Sequence, residues 1–206
     1  MERARRPTRP RPRKLTAFAG GAVLLIAVTV AAVWLVLPEV RTTPGPVDTR
    51  GVQGSGFAIK VGERGSWGKT VIYNDSDAEV VLDAIRPLDV PAGLDVQEVL
   101  IAGPDRKLLY LSGSREWPVA DLTDLGPVAG ARIAPSSTQR GDRGAEIVLV
   151  LRARAPGRYV LSKLEVSYRQ GRKQHRRVVS GILALCAREQ LTDDALDCPL
   201  PDQVPE

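Results

Sequence analysis

Along most of this chain hydrophobic and polar positions alternate with a period of two, and one long stretch abandons alternation altogether. The alternation is plainest at 146–153, where Ile147, Leu149, Leu151 and Ala153 project to one side and Glu146, Val148, Val150 and Arg152 to the other. That pattern predicts a half-buried strand. Residues 57–61 and 70–73 read as strands separated by a Gly-rich turn at 65–68, and Asn74-Asp75-Ser76-Asp77 as a tight turn closing 70–73 and 79–85 into a hairpin. Further β character lies at 94–101, at 107–111 and more faintly at 128–133. Ala155-Pro156-Gly157 then turns the chain into 159–168, where the alternation slips near Ser162, as a bulge would make it do. Gln170-Gly171-Arg172 forms the next turn and 178–186 the last strand. Seven to nine short strands with turn signals between them predict an all-β fold, an antiparallel β-sandwich of immunoglobulin-like type. An open barrel is the alternative arrangement of the same strands. Trp67 and Trp117 are expected to plug the ends of the core.

The stretch that breaks the pattern is 15–37, LTAFAGGAVLLIAVTVAAVWLVL, which holds no charge. As a helix it would be roughly 34 Å long, enough to cross a hydrocarbon layer of about 30 Å. It predicts one N-terminal transmembrane helix ahead of the sandwich, flanked by Trp34 at an interface and ended by Pro38. A cleaved signal peptide is the competing reading, but its apolar region usually stops after about 7 to 15 residues. Seven basic residues against the single acid Glu2 precede the run, which places the N-terminus in the cytoplasm and everything from Pro38 onward outside. The expected organisation is a basic head at 1–14, the helix at 15–37, a Pro- and Gly-rich linker at 38–54, the β-domain at 55–187 and an acidic tail at 188–206.

Charge changes the picture once it is divided by position. The chain as a whole is at +5, but the head alone carries +6 and the rest −1. Basicity therefore belongs to the membrane-proximal head, where anionic lipid accounts for it without nucleic acid. The two cysteines, Cys186 and Cys198, enclose eleven residues on the outer side and are expected to form a disulfide; two thiols with one distant histidine make a poor metal set. No cofactor is expected. The single histidine, His175, sits among Arg169, Arg172, Lys173, Arg176 and Arg177, surroundings that disfavour its imidazolium and argue against a Ser-His-acid triad. No phosphate-cradling loop is present, and acidic residues fall in turns and on the solvent sides of strands, so the chain is not expected to be an enzyme.

Asn74-Asp75-Ser76-Asp77 with Val80 and Leu82, Leu149-Val150 with Gly157-x-Tyr159, and Val166-x-Tyr168 with Gly171 and Cys186 resemble a loose group of uncharacterised actinobacterial single-pass membrane proteins with an extracytoplasmic immunoglobulin-like domain. The group carries no catalytic residues to transfer. An excess of Arg over Lys, 23 to 6, fits the GC-rich genomes of such bacteria. Two functions follow as expectations: a non-catalytic binding or scaffolding module of the cell envelope, or an accessory subunit of a membrane enzyme or transporter. The five cations Arg169, Arg172, Lys173, Arg176 and Arg177 form the candidate binding patch, for an envelope protein, an anionic polymer or lipid head groups. The opposing expectation is a solvated turn neutralised by the acidic tail. The loop at 113–144 is a second candidate for recognition.

Overall fold

A computed structural model describes residues 39–41, 45–50, 54–105, 113–115, 117–119, 124–138, 144–192 and 198–200. The apolar run at 15–37, the basic head and the strand expected at 107–111 lie outside them. Among the described residues no helix is long and apolar enough to cross a membrane.

These residues form eleven strands: β1 (Glu39–Arg41), β2 (Val47–Arg50), β3 (Ser55–Lys60), β4 (Arg64–Asn74), β5 (Val80–Leu88), β6 (Leu94–Ala102), β7 (Leu125–Pro127), β8 (Arg132–Ile133), β9 (Ala145–Ala153), β10 (Gly157–Gln170) and β11 (Lys173–Arg188). One sheet runs β2-β4-β9-β6-β7, and the other runs β1-β11-β10-β5-β8 with β3 also on β11. Two separate sheets replace the open barrel. The orders β2-β4-β9-β6 and β5-β10-β11 are those of strands A-B-E-D and C-F-G in an immunoglobulin-type Greek key. A local feature agrees with that order: near the start of β10, Tyr159 donates its hydroxyl to the Ala155 carbonyl at 2.8 Å, the tyrosine corner such sandwiches place between strands E and F.

The period-two pattern explains the core directly. Ile147, Leu149 and Leu151 of β9 face Tyr159, Leu161, Leu164 and Val166 of β10 and Val179, Leu183 and Leu185 of β11 in one apolar cluster, all fully or nearly fully buried. Burying each such side chain is worth roughly 1.5 to 3 kcal/mol relative to exposure. The expected bulge is present, since the β10–β11 register shifts between Leu161 and Lys163. The turns at 155–157 and 170–172 stand where the sequence puts them.

Five expectations are corrected. First, 70–73 and 79–85 do not pair as a hairpin: β4 bonds to β2 and β9, whereas β5 bonds to β10 and β8. The Asn74 turn is an arch between the sheets, held by the Asn74 side-chain amide, which donates to the carbonyls of Ala78 and Ile133 at 2.8 and 2.9 Å. Second, the Gly-rich 65–68 is not a turn but the interior of β4, where a register shift between Trp67 and Thr70 absorbs Lys69 at φ 80°. Buried Glu146 stabilises this irregularity by accepting the Lys69 amide N–H at 2.6 Å. Third, β9 is buried on both sides: Val148 lies with Ala102 in a second apolar cluster against Leu100, Trp117, Val119 and Leu125. Alternation alone could not reveal a cover contributed by a distant loop.

The fourth correction concerns the linker. Within 38–54, β1 pairs in parallel with β11, β2 crosses to pair antiparallel with β4, and the chain then returns to β11 as β3. Val47 of β2 is wholly buried. Fifth, Trp67 is not an end plug but a core residue, 2% exposed, with its indole N–H donating to the Ser55 hydroxyl.

Candidate interaction surface

The β10–β11 hairpin brings the five predicted cations to one end of the sandwich but divides them by role. Lys173 pairs with Gln170 and Gln174 with Arg169 in the strand ladder, and Gly171 at φ 58° makes the turn between them. Arg169 donates through Nε to Asp83 of β5 at 2.7 Å. Arg177 reaches across to β2, donating to the Val47 carbonyl and to the Asp48 carboxylate, both at 2.6 Å. Arg176 lies 3.7 Å from Glu165 of β10. These three arginines tie neighbouring strands together. Arg172 and Lys173 stand on the turn itself, exposed.

Asp193, Asp194 and Asp197 of the acidic tail lie outside the described residues, and Arg169, Arg176 and Arg177 are paired within the sandwich. The partners are Asp83, Glu165 and Asp48, which come from three different strands. The tail is fastened at the other end of the hairpin. Cys186 and Cys198 are joined with Cα atoms 5.4 Å apart, and Cys186 stands opposite Arg158, near the start of β10. Thirteen residues of β11 separate Lys173 from Cys186, roughly 40 Å of strand. Arg158 donates to the Pro199 carbonyl at 2.8 Å, and Cys198 is 4% exposed, so this part of the tail is packed against the sheet. Gly56 of β3 is required beneath it, because a Cβ there would fall 1.7 Å from the Cys198 carbonyl oxygen.

The lone histidine lies inside the same end. His175 is 7% exposed and stacks on Tyr168 with ring centroids 5.2 Å apart. Gly45 is packed against both rings, and the Val47 amide N–H donates to the Tyr168 hydroxyl at 3.3 Å. Burial pushes the Tyr168 phenol above the ordinary tyrosine range, although the Val47 amide and the Arg177 guanidinium pull the other way. This corner was not read from the sequence. The alternation of Val166 and Tyr168 signals an inward Tyr, but its partners lie far off in the segment read as linker.

Exposure on the outer side of the same sheet is uneven. Val178 is 52% exposed, opposite Glu165 and next to Arg176 and Arg177. The second candidate, 113–144, is described in part: Ser114 exchanges both backbone hydrogen bonds with Ser66 of β4, β7 and β8 extend the two sheets, and residues 136–138 make a single 3-10 turn. Asn74 is itself buried, with its side-chain amide nitrogen donating to two carbonyls.

No protein-family model matches the chain, and no curated protein matches it. Among solved structures it is similar to an ASH / PapD-like domain of human CEP192 (PapD-like domain 7), at 14% identity and TM-score 0.34, over 73% of this chain and 92% of that one. It is also similar to the VesB protease of Vibrio cholerae, at 11% identity and TM-score 0.33, over 68% of this chain and 32% of the protease. A further similarity is to the secreted serine protease VesC of Vibrio cholerae, at 12% identity and TM-score 0.28, over 68% and 23%.

Proposed function

We propose that this chain is a non-catalytic, single-pass module of the bacterial envelope, with a cytoplasmic N-terminus, a helix at 15–37 and an extracytoplasmic immunoglobulin-like domain that binds or organises an envelope component. The observation that carries this reading is the Cys186–Cys198 disulfide, which fastens the tail to β11. Disulfides persist in oxidising compartments, and the charge bias ahead of residue 15 puts the domain in such a compartment. The positions of the polar side chains support a structural use for them: Glu146 steadies a bulge, Asn74 an arch, and His175 stacks within the core against Tyr168. An actinobacterial source agrees with the composition.

Protease added to intact spheroplasts is expected to remove everything beyond residue 38 and leave a protected fragment of head and helix. Alkylation of the unfolded, unreduced protein is expected to add no label, and reduction to expose two sites. A fully protected chain, or free thiols before reduction, would overturn the proposed location.

A further inference from the structure

The two sheets differ in what lies over their outer sides. On the sheet of β2, β4, β9, β6 and β7 the outward Val148 is packed against Trp117, Val119 and Leu125, and Val71, Tyr73 and Glu146 of the same side are buried. On the other sheet the outward positions stay open. The register across β5, β10 and β11 sets Arg86, Glu165 and Val178 in one row, with Lys163 a step of two along β10 and Arg176 a step of two along β11. Leu164, Val166 and Val179 alternate with them and lie in the core, so the row faces outward. Val178 is the most exposed large apolar side chain among the described residues. Arg86, Lys163 and Arg176 are exposed around it, and the acid between them, Glu165, is largely enclosed and 3.7 Å from Arg176. Three cations against one carboxylate leave this patch with positive charge in excess. Arg86 stands two inter-strand spacings from Val178, about 10 Å, so the fields of the three cations overlap at a screening length of about 8 Å.

Resting on the binding reading above, we infer that this open face of β5, β10 and β11 is the docking surface, and that its occupant is a partner protein presenting carboxylates around an apolar side chain. The charge selects an acidic partner, since cations that outnumber their acid steer opposite charge to the face and repel like charge. Val178 selects a protein among acidic partners. An apolar centre inside a charged rim is how protein interfaces are built, whereas an anionic polymer or a lipid head group gains nothing from a valine. A second copy turned face to face would set cations against cations, which counts against self-association through this surface. Strand addition is not the mode of contact either. The outer edge of β5 beyond β8 carries Arg86 and Pro87, which blunt it, and the outer edge of β11 already holds β1 and β3. The partner therefore lies on the face, over the side chains.

The test keeps the full chain in its own cells, with the photo-crosslinker p-benzoylphenylalanine replacing Val178 or, as references, exposed Gln97 of β6 or exposed Ala155. Irradiation is expected to join position 178 to another protein, through a peptide that mass spectrometry shows to be rich in Asp and Glu, and to give little at 97 and 155. R86E/K163E leaves the Arg176–Glu165 contact in place and is expected to lower the yield at 178 at least about tenfold, while R86K/K163R keeps it. Should R86E/K163E melt lower than the parent, R86Q/K163Q removes the charge without inverting it and carries the same direction of change. Capture at 97 or 155 but not at 178 overturns this surface and leaves the binding reading. Capture at none of the three removes the binding reading and this inference with it. Capture at 178 of a second copy of this chain, of lipid or of polymer overturns the inference, as does a yield there that ignores both R86E/K163E and R86Q/K163Q.

Discussion

At the scale of single residues, Tyr168 joins three parts of the chain. Its ring lies on His175 of the next strand, its hydroxyl accepts the Val47 amide, and Gly45 is packed against its oxygen. Because burial raises its pKa, the folded state holds the phenolic proton more tightly than the unfolded state does. The stability this confers is whole below about pH 10, the unfolded value, and is lost as pH climbs through the higher folded value. Tyr168→Phe keeps the ring and removes the titrating group. It is expected to cost about 1 kcal/mol at neutral pH for the lost hydrogen bond and to flatten the fall in stability above pH 10. Urea unfolding at pH 8 and pH 11 checks this; equal alkaline losses in the two proteins would place the titration elsewhere.

At the scale of elements, the contact between β3 and the tail depends on one close approach. Gly56 pairs with Ala184, next to the Cys186–Ala58 pair, and the Cys198 carbonyl lies over it. Any side chain at 56 meets backbone, which cannot rotate away. Gly56→Ala is therefore expected to hinder seating of the tail, seen as partial labelling of Cys186 and Cys198 without reduction. Cys198→Ser removes the crosslink but leaves Gly56 in place, and should lower stability by about 3 kcal/mol if the loop-entropy account holds. Complete disulfide formation in Gly56→Ala would show that the tail can settle elsewhere. The hairpin of β10 and β11 shows a different logic: its turn follows from Gln170-Gly171-Arg172, and its bulge from the slip near Ser162.

For the molecule as a whole, the boundary of the folded unit lies earlier than alternation suggests. Residues 39–50 supply an edge strand to each sheet, and Arg177 is bound to Val47 and Asp48. A soluble chain starting at Glu39 should fold cooperatively, whereas one starting at Ser55 should lose at least about 2 kcal/mol, the burial of Val47 alone accounting for much of it. Guanidinium midpoints of the two proteins measure the difference, and identical midpoints would return 39–50 to the role of a spacer.

Local pattern determined most of the strands, both late turns, the bulge at Ser162 and the cysteine pairing, because each depends on residues close in sequence or on there being only two thiols. It also determined that Arg169, Arg172, Lys173, Arg176 and Arg177 cluster at one hairpin end. Which strand pairs with which was decided only in three dimensions. The Asn74 turn has the composition of a hairpin turn, yet two bonds from its own side chain to Ala78 and Ile133 shape it as an arch between sheets. The Pro- and Gly-rich 38–54 has no period, so its strands show only as partners of β11 and β4. The roles of Arg169, Arg176 and Arg177 were likewise invisible, since Asp83, Glu165 and Asp48 come beside them only through strand register. Sequence spacing records where a side chain points along its own strand, and the tertiary structure alone records what stands opposite.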